Sequence, residues 1–214
     1  MIMEDTYVKS TYFIDSDHPN IIAYAKDITK SCNTAKEKAI ALFRAVRDGY
    51  LYDPYYLDLR PQGLVASNIL QRRSAYCVEK AVLLCAVIRA VGIPARLNFG
   101  NVKNHIAVDR IIEILGTDIL VFHGCTEVFL NGFWLKITPA FNKGLCEKLG
   151  VPVLDFDGEN EAVFQQFSDD GSTFMEYLHD YGSFDDLPYA KMLSSLKDNY
   201  PHIHIPEDLV LKLV

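Results

Sequence analysis

The chain has 214 residues, half of them hydrophobic, a formal net charge of -7 and five cysteines. That length and apolar fraction suffice for one sizeable core. The acidity excludes a general nucleic-acid binder, which needs a basic face, and no apolar run is long enough to span a bilayer. The start, Met1-Ile2-Met3-Glu4-Asp5, is acidic at once and lacks the basic and apolar regions of a signal peptide. Five cysteines at irregular spacings make no disulfide framework, so reduced thiols in a cytoplasm are expected.

In chain order, residues 1–17 read as extended or irregular, anchored by Tyr12 and Phe13. A turn at Asp17-His18-Pro19-Asn20 leads into a helix over about 21–30. Asn33 or Thr34 caps a second helix over 35–47, whose Ala39, Leu42, Phe43 and Val46 follow three-and-four spacing. Asp48-Gly49 stops it, and an aromatic loop follows from Tyr50 to Tyr56, suited to plugging a core edge or lining a groove. Residues 66–72 read as a helical turn, and Arg72-Arg73 as a solvated corner. With no linker, repeat or low-complexity tract, the expectation is one domain over 1–214, with 1–17 and about 150–214 wrapped around its core.

The stretch from Ser74 to Arg96 organises the rest. It reads as one helix, apolar on nearly every side and therefore buried, with only Glu79, Lys80 and Arg89 charged inside it. Ser74 is the expected N-cap, while Gly92 and Pro94 end the helix. Cys77 thus lies at a helix N-terminus, where partial positive charge and unpaired N–H groups favour thiolate, the nucleophilic form, and can hold an oxyanion. A cysteine that merely packs is the other reading.

After a strand over 95–99 and a partly helical 101–116, two β-rich runs, 119–130 and 133–138, flank Asn131-Gly132, the mark of a two-residue hairpin turn. Facing residues then have numbers summing to 263, which puts His123, Cys125, Glu127, Trp134, Lys136 and Thr138 on one face. Glu127 lies opposite Lys136. Thr138 lies diagonal to His123, at about 7–8 Å between backbones, within reach of the ring.

These residues carry a resemblance. Cys77 opening a buried helix, Gly92-Ile93-Pro94-Ala95-Arg96, then His123 leading to Glu127-Val128-Phe129-Leu130-Asn131-Gly132-Phe133-Trp134 and Thr138-Pro139, is similar to the transglutaminase-like superfamily, including its bacterial cysteine-protease branch. The resemblance implies an α+β, papain-like fold with a buried cysteine-headed helix on an antiparallel sheet. It implies Cys77 as nucleophile, His123 as base and a third group orienting the imidazole. The family's aspartate falls on Thr138, which brings a hydroxyl but no charge; Asn142 is the alternative third group, and Asp155 and Asp157 are more distant ones. Ala75 stands where the family often has glycine.

The expected activity is acyl transfer through a Cys77 thioester, hydrolysing a peptide or amide bond of a peptide or protein substrate. Two rivals are a true amine-accepting transglutaminase and a binding module whose triad has decayed. No cofactor, metal, nucleic acid or membrane is implied. Tyr52, Tyr55 and Asn68 are candidate oxyanion partners. His105 reads as a second imidazole or a cap, Cys125 as a packed strand cysteine or redox partner, and Arg96 as an ion-pair partner of Glu79 or Glu127. His202 and His204 read as tail residues. Cys77, Cys85, His123 and Cys125 lack the spacing of structural zinc. In the C-terminal third, Leu154 to Gly158 reads as strand-to-turn, 174–178 as an edge strand, and 189–199 as a helix.

Overall fold

The computed structural model describes residues 3–105, 109–163 and 175–213. Helices α1 (Pro19–Ile28) and α2 (Ala35–Gly49) come first. Thr34 Oγ1 accepts the Glu37 N–H and Glu37 reaches back to the Thr34 N–H, a capping box that starts α2. The aromatic loop carries the short strands β1 (Leu51–Tyr52) and β2 (Tyr56–Asp58). Helix α3 (Ala66–Ile69) and strand β3 (Ser74–Ala75) lead into α4 (Cys77–Ala90). Strand β4 (Ala95–Asn104), helix α5 (Asp109–Leu115), strands β5 (Ile119–Leu130) and β6 (Phe133–Ile137), helix α6 (Lys143–Leu149) and strand β7 (Met175–Phe184) follow. Helix α7 (Tyr189–Asn199) and strand β8 (Val210–Lys212) complete the order.

Strands β6, β5, β4 and β7 form, in that order, an antiparallel sheet, and α4 packs between this sheet and α1–α3. The fold is α+β with a buried cysteine-headed helix, as the sequence pattern predicts. Helix α4 is enclosed from Val78 to Arg89, and each buried Val, Leu or Ile contributes about 1.5–3 kcal/mol.

Its three charges are each satisfied, as burial demands. Lys80 Nζ donates to the carbonyls of Arg47, Tyr50 and Ala140 at 2.8, 2.9 and 2.8 Å, and burial pushes its pKa down to about 7. Arg89 donates to the carbonyls of Ala95, Lys9 and Asp185. Glu79 accepts the Tyr76 N–H at 3.0 Å and pairs with Arg72, yet burial still raises its pKa to about 7.

Four details depart from the sequence pattern. Tyr76, not Ser74, occupies the N-cap of α4, because the Glu79 carboxylate caps the turn while Ser74 and Ala75 pair in parallel with Leu51 and Tyr52. Arg72 is no solvated corner: it bonds Glu79, Asp58 and the Gly63 carbonyl. Residues 154–158 form no strand, since Arg47 holds the Leu154 carbonyl and the Asp155 carboxylate instead. Strand β7 runs for ten residues along β4, about twice the edge strand expected; Phe174 lies outside the described residues.

The hairpin follows the predicted register. Leu130 faces Phe133 and Glu127 faces Lys136, with Asn131 at φ 52° and Gly132 at φ 88°. Of the two expected partners of Arg96, Glu127 is the one it takes, from the facing position on β4, while stacking 4.1 Å from the centre of the Trp134 ring. Lys136 is left to Asp180, at 2.8 Å.

Candidate active site

Two pairings bring the site together. The β1–β3 pair sets Tyr52 beside Ala75, two residues before Cys77. Helix α4 meets β5 at Gly124, where an added Cβ would lie 2.8 Å from Val78 Cα and 3.1 Å from the Cys77 carbonyl oxygen. Only glycine permits that approach. It also presents the Gly124 backbone to the catalytic candidates on both sides.

The backbone N–H groups of Gly124, Val78 and Cys77 itself favour charge on the Cys77 sulfur, and Cys77 in turn disfavours ionisation of the Tyr52 hydroxyl. The sequence argument expects such donors to favour thiolate, and they do pull the thiol down. Burial outweighs them: it pushes the Cys77 pKa up to about 11. Cys77 keeps some exposure, but its walls are apolar, and an unscreened anion there is costly. Enclosure thus opposes the thiolate that the helix turn alone favours.

His123 is buried on β5, and burial lowers its pKa to about 4, so the ring is neutral near pH 7. Its Nε2 lies 3.3 Å from Thr138 Oγ1, and that hydroxyl donates to the Gly124 carbonyl, also at 3.3 Å. A hydroxyl has one proton to give. With that proton on Gly124, Thr138 accepts from Nε2–H, which leaves Nδ1 as the basic nitrogen. Gly124 thereby links the two halves: its Cα abuts the first turn of α4 at Cys77 and Val78, and its carbonyl holds the hydroxyl beside His123.

The other sequence candidates lie elsewhere or serve as supports. Asn142 Oδ1 accepts the Tyr52 N–H at 3.1 Å, so it positions Tyr52. Asp155 bonds Arg44 and Arg47, and Asp157 accepts the N–H groups of Glu159 and Asn160 in a turn. Asn68 bonds the Gln62 carbonyl. His105 lies 3.7 Å from Glu176, and His202 Nε2 lies 3.3 Å from the Ile114 carbonyl. Cys125 shares a polar cleft with His123, Thr138, Asn98, Lys136 and Asp180. All five cysteines are free, and among the described residues no three His, Cys, Asp or Glu side chains gather as for a metal.

The transglutaminase-like superfamily profile matches residues 22–139, which include Cys77, His123 and Thr138. The chain belongs to the transglutaminase-like superfamily. A crystal structure of a candidate cysteine protease from Cytophaga hutchinsonii is similar at 19% identity and a TM-score of 0.50, covering 65% of this chain and 43% of that one. One of a candidate protease from Parabacteroides distasonis is similar at 15% identity and a TM-score of 0.40, covering 62% of this chain and 24% of the other. The chain thus spans less than half the length of either structure, and the likeness to the Cytophaga hutchinsonii protein concerns the fold. No curated protein matches the sequence. Tyr52, one of the oxyanion candidates from the aromatic loop, lines the same cavity as Cys77.

Among the described residues no helix is long and apolar enough to cross a membrane.

Proposed function

We propose that this transglutaminase-like chain is a cysteine acyl-transfer enzyme that hydrolyses peptide or amide bonds, with Cys77 as nucleophile and His123 as base. The observation that supports this reading is the Gly124 junction, where the cysteine-headed turn of α4 abuts the residue whose carbonyl holds Thr138 and, beside it, His123.

Moving the thiol proton to His123 at rest spans the gap between pKa values near 11 and near 4, on the order of 10 kcal/mol. The resting pair is therefore thiol and neutral imidazole. Attack and proton transfer then run together: the sulfur bonds the substrate carbonyl carbon as its proton passes to Nδ1. The developing oxyanion meets the Tyr52 hydroxyl and the backbone N–H groups around the sulfur. Collapse breaks the carbon–nitrogen bond, His123 returns the proton to the leaving amine, and a Cys77 thioester remains. Water, deprotonated by His123, hydrolyses it. The substrate is a peptide or protein, and five free thiols suit a reducing cytoplasm.

The hydroxyl that Thr138 presents to His123, where the family resemblance expects a carboxylate, favours a second reading, a peptide-binding module on the same fold. Intact-mass measurement after exposure to an activated acyl ester separates the two. The enzyme reading expects one acyl adduct, absent in Cys77→Ala and formed at least tenfold more slowly in His123→Ala. An adduct rate unchanged by His123→Ala points to the binding module. Capture of a fluorescent primary amine in place of water identifies the transamidating form.

A further inference from the structure

Cys77 forms part of the wall of an open-mouthed cavity of about 80 Å³. Leu57, Leu120, Phe122, Met192, Leu196 and Leu211 are among its walls, and among the described residues no charged side chain lines it. Of its tyrosine hydroxyls, that of Tyr200 is committed to the protein, donating to the Ile119 carbonyl at 2.7 Å while accepting the Val121 N–H at 2.8 Å. Tyr76 Oη is buried and without a hydrogen-bond partner among the described residues. A guest that is apolar along its length and carries one carbonyl fits such walls; a polar carboxamide side chain would lose its water there without replacement.

The far wall comes from outside the family-matched residues. Met192 and Leu196 belong to α7. Leu211 belongs to β8, which is paired to β2 and continued by the Leu213 N–H donating to the Tyr55 carbonyl at 2.7 Å. The shared superfamily core thus supplies the sulfur, and this chain's own C-terminal segment closes the space beside it.

We propose that the acyl group delivered to Cys77 is apolar, and that α7 and β8 form the pocket that selects it. This rests on Cys77 being the nucleophile. The apolar group is either a straight acyl chain or the apolar side chain of a peptide's acyl-side residue.

The test acylates the full chain with p-nitrophenyl acetate, butyrate and octanoate, and with the p-nitrophenyl esters of acetyl-leucine and acetyl-glutamine. Nitrophenolate release and the Cys77 adduct mass are followed. The expected result is a two- to fourfold faster acylation per added methylene, roughly the transfer free energy of that group, and acetyl-leucine at least tenfold ahead of acetyl-glutamine. The octanoyl ester leading identifies a free acyl chain as the ligand, and acetyl-leucine leading identifies a peptide. Leu196→Gln with Leu211→Gln, both half-buried, should lower the octanoate-to-acetate and leucine-to-glutamine rate ratios at least tenfold. Equal rates for acetate and octanoate, with leucine equal to glutamine, overturn the proposal and leave the nucleophile standing. A binding measurement on Cys77→Ser separates the opposite failure: octanoic acid, and not acetic acid, displaces a fluorescent polyene fatty acid if the pocket is apolar-selective. No displacement overturns the pocket whatever the sulfur does.

Discussion

The two sides of the Gly124 junction are built from different materials. On the Cys77 side, helices and the C-terminal segment enclose an apolar cavity. On the His123 side, strands β4–β7 present Asn98, Lys136, Thr138 and Asp180 around a polar cleft. Burial moves both site groups toward their uncharged forms, thiol upward and imidazole downward, yet each keeps a different kind of support. The sulfur sits where the first turn of α4 abuts the Gly124 backbone, whereas the imidazole meets the Thr138 hydroxyl. The comparison teaches that nucleophile placement depends on backbone approach, and that a replaceable side chain contributes to base placement.

Gly124→Ala breaks the comparison most severely, because its methyl would overlap Val78 Cα in the backbone of α4. We expect acylation of Cys77 to fall more than about 100-fold and stability to drop by about 1–3 kcal/mol, read by intact mass and urea unfolding. A melting curve that is unchanged would show that α4 can move away freely.

The burial of His123 has a signed consequence. Its folded pKa near 4 lies below the ordinary value of about 6.5. Between these values the unfolded chain binds a proton that the folded chain refuses, so the contribution of His123 to stability is lost as pH falls. Measured against His123→Asn, the wild-type chain should lose about 3 kcal/mol of relative stability from pH 6.5 to 4. A pH-independent difference would mean that the ring is solvated.

Thr138→Val removes the hydroxyl but keeps the shape. We expect a 10- to 100-fold slower acylation with an unchanged fold, and near-complete rescue by Thr138→Ser. Equal rates for all three would remove Thr138 from the site. Tyr52→Phe is the mildest change. Without its hydroxyl in the cavity beside Cys77, alkylation of Cys77 at fixed pH should slow only two- to fivefold, since the three backbone N–H groups stay.

The sequence made the fold legible where local rules are strict. Asn131-Gly132 specified the hairpin register residue by residue, because both positions need positive φ. The all-round apolar pattern of α4 foretold its burial. The family resemblance brought out Cys77, His123 and Thr138. What stayed hidden depends on distant packing. The apolar cavity needs α7 and β8 beside Tyr52 and Tyr55, residues over a hundred positions apart. The rise of the Cys77 pKa comes from that enclosure and not from its helix turn. Asn142 looked like a spare third triad member; its actual tie to the Tyr52 backbone comes from the path of the chain after β6.

The Lys80 ammonium grips the end of α2, the first residue of the aromatic loop and the segment just after Thr138 with one set of three donors. The Tyr52 arm and the Thr138 arm therefore share a single mechanical pivot behind the sulfur. A disturbance entering through either arm is passed to the other, so second-site repairs of a faulty Thr138 are to be sought in the turn from Arg47 to Tyr52, far along the chain but hung from the same nitrogen.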